Sequence, residues 1–489
     1  MIDTWFGVGE TSTLGFLHLP DDGIVTGGVI VCTALGYDHD RAYRGLNYLG
    51  QELAEGGVAA LRFDYSGEGD AGGETGGADA PERWLTSIRE AAAYLRASGI
   101  EKVGVLALGS GALLAIEAIG DIPDVEGMIL WDPALSGRRF LRRQRTLFEL
   151  TIGSAAPPVD GASAPMISLD LHPDAAGWLA EREITAERIV ATGLPTLVLG
   201  RSADASTPAT TRLAAALGDR AEYRSITGQE EWLDAPAALA ELPLAASASI
   251  TEWFGRLLDG AATRARPTRT IEAPVGVDAD GVPIIERIRR FGPERLLAIE
   301  TVPGAVEAFT DRGMVVLQPG AAEHRTGPSR FQVIAARELA RRGFRAVRFD
   351  RRVTGDSTTV VPGEPNLIFA SEWIDDTEQL IAELGEGAPI ALAGLCAGGW
   401  VAARATERVP TRLTVLFSPN YFKTHSLRPN EFSHMTRVHR DQSAPIIRIK
   451  AAVRDRIPDW LWRSLSGFQR EDAYFKTDPG ARNAPKVQF

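Results

Sequence analysis

The chain has 489 residues, with 52 Lys+Arg against 64 Asp+Glu and a formal net charge of −12. That balance excludes a generic nucleic-acid binder, which needs an electropositive face for phosphates. With 44% hydrophobic and 24% charged residues the whole is neither disordered, collagenous nor coiled coil, and at roughly 150 residues per domain its length predicts two or three domains.

Taken in order, Met1-Ile2-Asp3-Thr4-Trp5 lacks the basic and apolar segments of a signal peptide. Apolar runs such as 28–35 are strand-length, well short of the ~20 residues that span a bilayer. No integral membrane segment and a cytoplasmic location are therefore expected. Strands are predicted near 28–32, 59–63, 103–108, 128–131, 196–199 and 222–226, with helical patterns such as 83–97 and 112–119 between them. This alternation predicts parallel βαβ units with helices on both faces. After Pro133 an arginine-rich run at 138–145 and a Pro/Ala/Ser/Gly stretch break the pattern, which reads as a cap over about 134–190. The stretch 260–277 reads as a linker plus the first strand of a second unit.

That second unit repeats the first. Arg62-Phe63-Asp64 recurs as Arg348-Phe349-Asp350, and Gly69-Asp70 as Gly355-Asp356, each 286 residues on. His39 falls on His324 at an offset of 285. A near-constant offset marks a tandem duplication, with units at 1–262 and 263–489. The second then stops inside its own late strand, since Ala484–Phe489 resembles Leu194–Leu199. A homodimer or a partner chain that completes it is one expectation.

The strand, loop and helix order around these Arg-Phe-Asp…Gly-Asp segments resembles the α/β-hydrolase superfamily across both units. More narrowly, Leu35-Gly36-Tyr37 with Arg62–Asp70 is similar to the serine-aminopeptidase-like hydrolases that accompany exosortase systems. Gln318–Arg330 with Gly394–Gly398 is similar to a sister branch. The resemblance implies doubly wound, mostly parallel sheets with cap insertions, the second C-terminally incomplete, and a nucleophile elbow on a strand-to-helix turn.

Gly394-Leu395-Cys396-Ala397-Gly398 supplies that elbow in the second unit. Cys396 would be the nucleophile, at a helix N-terminus whose dipole favours an anion. The Ala397 N–H and the loop around Gly320 would form the oxyanion hole. In the first unit an offset of 286 places Ser110 on Cys396, but Leu108 and Ala112 replace the outer glycines. Asp204 stands where the acid belongs, with helix capping as its alternative, and 227–233 holds Gln229 but no histidine. His425, His434 and His439 follow Cys396 only within cap-like sequence. His324, in the loop after the oxyanion strand, is the candidate base for a Cys396–His324 dyad, with a helix cap as its structural alternative.

The chain thus reads as an ester or thioester hydrolase or acyltransferase working through an acyl-Cys396 intermediate on a small-molecule acyl substrate. No cofactor or metal is implied. The alternative is a non-catalytic pseudo-hydrolase acting as a binding or scaffold module.

Overall fold

The computed structural model describes residues 1–151, 164–202, 208–235, 240–304, 312–321, 323–357, 359–364 and 370–417. All of them lie in one compact unit, Met1–Ser426. In the first half, strands β1 (Ile2–Phe6), β2 (Thr13–His18), β3 (Gly27–Cys32), β4 (Val58–Phe63), β5 (Val103–Leu108), β6 (Val125–Trp131), β7 (Thr196–Arg201) and β8 (Glu222–Ile226) form one sheet. Its order is β1-β2-β4-β3-β5-β6-β7-β8. The first two pairings are antiparallel and the rest parallel. The second sheet runs β9 (Glu272–Val277), β10 (Pro283–Phe291), β11 (Leu296–Pro303), β12 (Met314–Gln318), β13 (Arg345–Phe349), β14 (Ile390–Leu395) and β15 (Leu413–Phe417) in the order β9-β10-β11-β13-β12-β14-β15. From β11 onward its strand order matches that of the first half from β2 onward. Residues 418–489, where its late strands were expected, lie outside the described residues.

Burial explains the sequence patterns. Strands β3 and β5 are buried throughout, which is why they read as unbroken apolar runs, covered by helices on both faces. By contrast, β10 alternates buried with partly exposed residues, and its sequence alternates accordingly. Helix α1 (Tyr37–Glu55) starts after Gly36, whose φ of +64° admits the sharp turn, and carries Asp38 and Asp40 in its first turn to match the helix dipole. Helix α2 (Ala80–Ala97) and α3 (Gly111–Ala118) follow β4 and β5. The segment after β6, expected to form a cap, contains α4 (Gly137–Thr151) and a ribbon of Ala164–Met166 with Leu169–Leu171. Helix α5 (Leu244–Leu257) closes the first half; α6 (Phe331–Arg341), α7 (Glu372–Leu384) and α8 (Ala397–Ala405) serve the second.

The halves meet along a seam. Its apolar part packs Trp5, Leu14 and Phe16 against Val275, Ile284 and Ile299 in one buried cluster. Its polar part is a reciprocal exchange. Arg62 Nη2 lies 2.7 Å from Asp356 Oδ1, and Arg348 Nη2 lies 3.0 Å from Asp70 Oδ1. Each residue of the second pair is the repeat counterpart of one in the first, so the contact is isologous, like that of a two-fold dimer held in one chain. Arg325 ties the pairs together, 2.5 Å from Asp70 and 3.0 Å from Asp356, and also bonds Asp350. Arg330 donates to the Gly69 carbonyl at 2.7 Å and the Gly67 carbonyl at 2.9 Å, while Asn47 donates to that of Gly355 at 3.0 Å from the other side.

Breaking such a buried pair strands a charge, at about 3–5 kcal/mol. Asp356→Asn is therefore expected to lower stability by that order in urea melts at neutral pH. Burial pushes the Asp356 carboxyl up, but Arg62, His324 and Arg325 hold it well below the usual carboxylate range. Its stabilisation is thus complete above the unfolded value of 3.8 and fades as pH falls through the depressed folded value, so the variant and the parent converge in acid. Glu68 behaves oppositely, because burial raises it from 4.5 to about 7. Stability falls as pH rises between those values, and Glu68→Gln should gain roughly 3 kcal/mol relative to the parent at pH 8 compared with pH 4.

Candidate functional site

The two elbows align by strand register. Leu108 pairs with Trp131, and the next residue, Gly109, donates its N–H to the Trp131 carbonyl at 2.9 Å. Leu395 pairs with Phe417, and Cys396 donates to the Phe417 carbonyl at 3.0 Å. Gly109, not Ser110, therefore occupies the position of Cys396. The expectation that Ser110 is its counterpart is corrected by one residue, because the second half has one more residue between Asp350 and its elbow than the first has after Asp64.

The backbone agrees with that register. Cys396 has φ +54° and ψ −116°, and Gly109 has φ +56°, whereas Ser110 is helical at φ −70° and ψ −18°. A non-glycine residue held at positive φ stores about 1–3 kcal/mol of strain. The glycines around it make the turn feasible. A Cβ on Gly394 would collide with the Gly398 carbonyl, and one on Gly398 would lie 2.5 Å from the Pro319 carbonyl and 2.6 Å from that of Gln318. Gly398 thus lets α8 settle directly on the loop after β12. Cys396 itself is half-buried at the N-terminus of α8.

The residue after each elbow differs in consequence. Ser110 is buried, and its Oγ accepts the Leu35 N–H at 2.9 Å. That amide lies in the loop after β3, where a hydrolase would keep an oxyanion donor. The serine hydroxyl thus takes up that loop amide. Its counterpart in the second half, buried Ala397, has no hydroxyl to do so. By the same register the counterpart of Leu35 is Ala321.

The loop beside Ala397 is tightly held. Arg351 donates to the Gly320 carbonyl at 3.1 Å and the Pro319 carbonyl at 2.6 Å, with its guanidinium 4.2 Å above the Trp373 ring. Burial lowers that guanidinium to about 9, against the pull of Asp376 and Glu323. Burial and Asp40 raise the Glu323 carboxyl, partly offset by Arg351 and by the Gly320 N–H that it accepts.

His324 belongs to the seam. Its Nδ1 lies 3.0 Å from Thr326 Oγ1 and its Nε2 3.2 Å from Asp356 Oδ2. Its ring stacks on Tyr43, with centroids 3.7 Å apart and planes at 3°. The Tyr43 hydroxyl meets His39 Nε2 at 2.7 Å and donates to Asp64 at 3.1 Å. With both ring nitrogens engaged and the ring buried, His324 is not presented as a free base for Cys396, which corrects the expected dyad. His324, Asp350 and Asp356 offer ligand atoms within 4.8 Å of one another, but Arg62 and Arg325 already neutralise those carboxylates. Asp64 and Asp350 each accept the loop amide six residues on, at 2.8 Å, as strand-end aspartates should. Gln229 is buried. Asp204, His425, His434 and His439 lie outside the described residues. Sequence reasoning missed Tyr43 and Arg325; the repeated Arg-Phe-Asp arginines, set in buried strands, were the available signal.

A family profile described as Hydrolase_4, serine aminopeptidase, S33, matches residues 28–206 and again 310–484. The chain therefore belongs to the serine aminopeptidase S33 family of α/β-hydrolases. Among solved structures it is similar to Est1E from Butyrivibrio proteoclasticus, at 13% identity and a TM-score of 0.38, over 53% of this chain and 99% of that one. A proline iminopeptidase-related protein from Thermus thermophilus gives 21%, 0.36, 52% and 98% in the same terms. A lidless α/β serine hydrolase from Xanthomonas campestris gives 12%, 0.35, 53% and 97%. No curated protein was found to match the chain.

Since the first half carries glycine at the strained position, the second half should tolerate it too. Cys396→Gly is expected to raise stability by about 1 kcal/mol in urea melts through relief of positive-φ strain, while Cys396→Ala should bring no such gain.

Proposed function

We propose that the second half is an acyl-transfer site in which Cys396 is the nucleophile, and that the first half is its non-catalytic partner. The observation that carries this is the contrast at the elbows. One half keeps a side chain in a strained conformation, followed by Ala397, which has no hydroxyl to bond the loop amide. The other has glycine at the elbow and a serine hydroxyl that accepts its loop amide. Strain retained at one position and released at its counterpart points to use of the strained one.

The reaction would begin with attack of the Cys396 sulfur on the carbonyl of an ester or thioester. A carbon–sulfur bond forms while the thiol proton passes to solvent, and the oxyanion rests on the N–H groups of Ala397 and Ala321. Collapse expels the alcohol or thiol, and water or another acceptor then takes the acyl group and releases the thiol. A thioester suits this nucleophile because entering and leaving sulfur are closely matched. Within this scheme His324 is a seam residue, and Ser110 has no part in the chemistry.

Hydrolysis of p-nitrophenyl acetate and of an acyl thioester tests the reading. Cys396→Ala is expected to lose at least about a hundredfold in kcat/KM, the scale of losing an essential group, while Ser110→Ala stays within about twofold. Undiminished turnover in Cys396→Ala would reject the thiol mechanism. A folded parent protein inert towards both substrates would favour the binding or scaffold module.

A further inference from the structure

Among the described residues the second sheet ends on β15, which pairs only with β14. Strand register makes β15 the counterpart of β6. Leu395 pairs with Phe417 as Leu108 pairs with Trp131, so Thr414, Val415 and Leu416 correspond to Met128, Ile129 and Leu130. The outer side of β6 is covered by β7, which pairs along Met128–Trp131, and the Met128 N–H goes to the Pro195 carbonyl at 3.0 Å. No described strand does the same for β15. Its Phe417 carbonyl faces inward and accepts the Cys396 N–H, so the alternate residues Thr414 and Leu416 turn their N–H and C=O groups to the open edge. The strand reads Leu-Thr-Val-Leu-Phe, pairs with β14 without a bulge, and leaves Leu413 57% and Phe417 45% exposed. It carries none of the charges, prolines or bulges that guard a natural edge.

Turned antiparallel about Val415, this strand complements itself. We propose that β15 is a dimerisation edge, which pairs with β15 of a second copy of this chain about a two-fold axis at Val415. Thr414 then lies opposite Leu416 of the partner subunit, and their outward N–H and C=O groups satisfy one another. Val415 faces Val415 of the partner subunit in the closer, non-hydrogen-bonded pairing. Leu413 meets Phe417 of the partner subunit, an aliphatic–aromatic cross-strand pair, with Phe417 already held edge-on by Phe331 at 6.1 Å. Within the strand no charge faces a like charge. The contact is isologous, so it closes at two copies and builds no filament. Five paired residues bury far less than the ~1,200 Å² of a specific stable interface, so the expected Kd is about 10–100 µM. Because the Cys396 N–H is bonded to Phe417, the pairing braces the strand on which each elbow hangs. It does not depend on chemistry at Cys396.

Sedimentation of the full chain over roughly 5–500 µM tests this, with a monomer–dimer equilibrium as the expected result. Val415→Lys and Val415→Glu each set like charges opposite one another on the axis. Each alone should stay monomeric where the parent is dimeric, and an equimolar mixture should regain the dimer, because opposite charges then face. In a Cys396→Ala background, Val415→Cys should form an intermolecular disulfide on oxidation, since that pairing brings the Cα atoms to about 4.5 Å. Thr414→Cys in the same background should not. The cysteine variants, closer in size to the parent, decide the matter even if a charged variant fails to fold. A parent that stays monomeric or assembles beyond a dimer, folded single-charge variants that dimerise as the parent does, a mixture of them that stays monomeric, or equal cross-linking at the two cysteine positions would overturn the proposal.

Discussion

A guanidinium taken out of water costs several kcal/mol unless a carboxylate meets it in good geometry, and this chain buries Arg62, Arg325 and Arg348 together. Arg62 finds Asp356 across the seam, Arg348 finds Asp70, and Arg325 bridges both aspartates. None of these charges could remain buried in an isolated half without losing a partner. The halves therefore depend on one another, and both elbows lie within a single compact unit.

That mutual dependence gives the first half, with glycine at its elbow, a physical role in the stability of the second. Its loop from Asp64 to Ala71 receives Arg330, Arg337 and Arg348. Its Tyr43 receives the ring of His324. Through Asp356 the same network reaches the strand end from which the loop beside Cys396 is organised.

Much of the fold was legible in the sequence, because strands buried on both faces must be apolar throughout. β3 and β5 stand out for that reason, and the apolar runs of β12 and β14, although partly exposed, repeat them and revealed the second sheet. The elbow register was not legible. Gly109-Ser110-Gly111 and Cys396-Ala397-Gly398 are both small-residue turns, and a single extra residue in the second half is invisible until the pairing of Leu108 with Trp131 and of Leu395 with Phe417 fixes it. His324 was misjudged for a related reason. Its place after the oxyanion strand is local information, while its bonds to Asp356 and its stack on Tyr43 arise from contacts between distant segments.

The proposed mechanism places covalent chemistry at one elbow of two. Intact-protein mass spectrometry after brief exposure to an acyl thioester, followed by peptide mapping under mildly acidic conditions, tests it most directly. A single added acyl group on the peptide that contains Cys396 is the predicted result. Acylation mapped to Ser110, or scattered over surface nucleophiles with Cys396 unmodified, would contradict it.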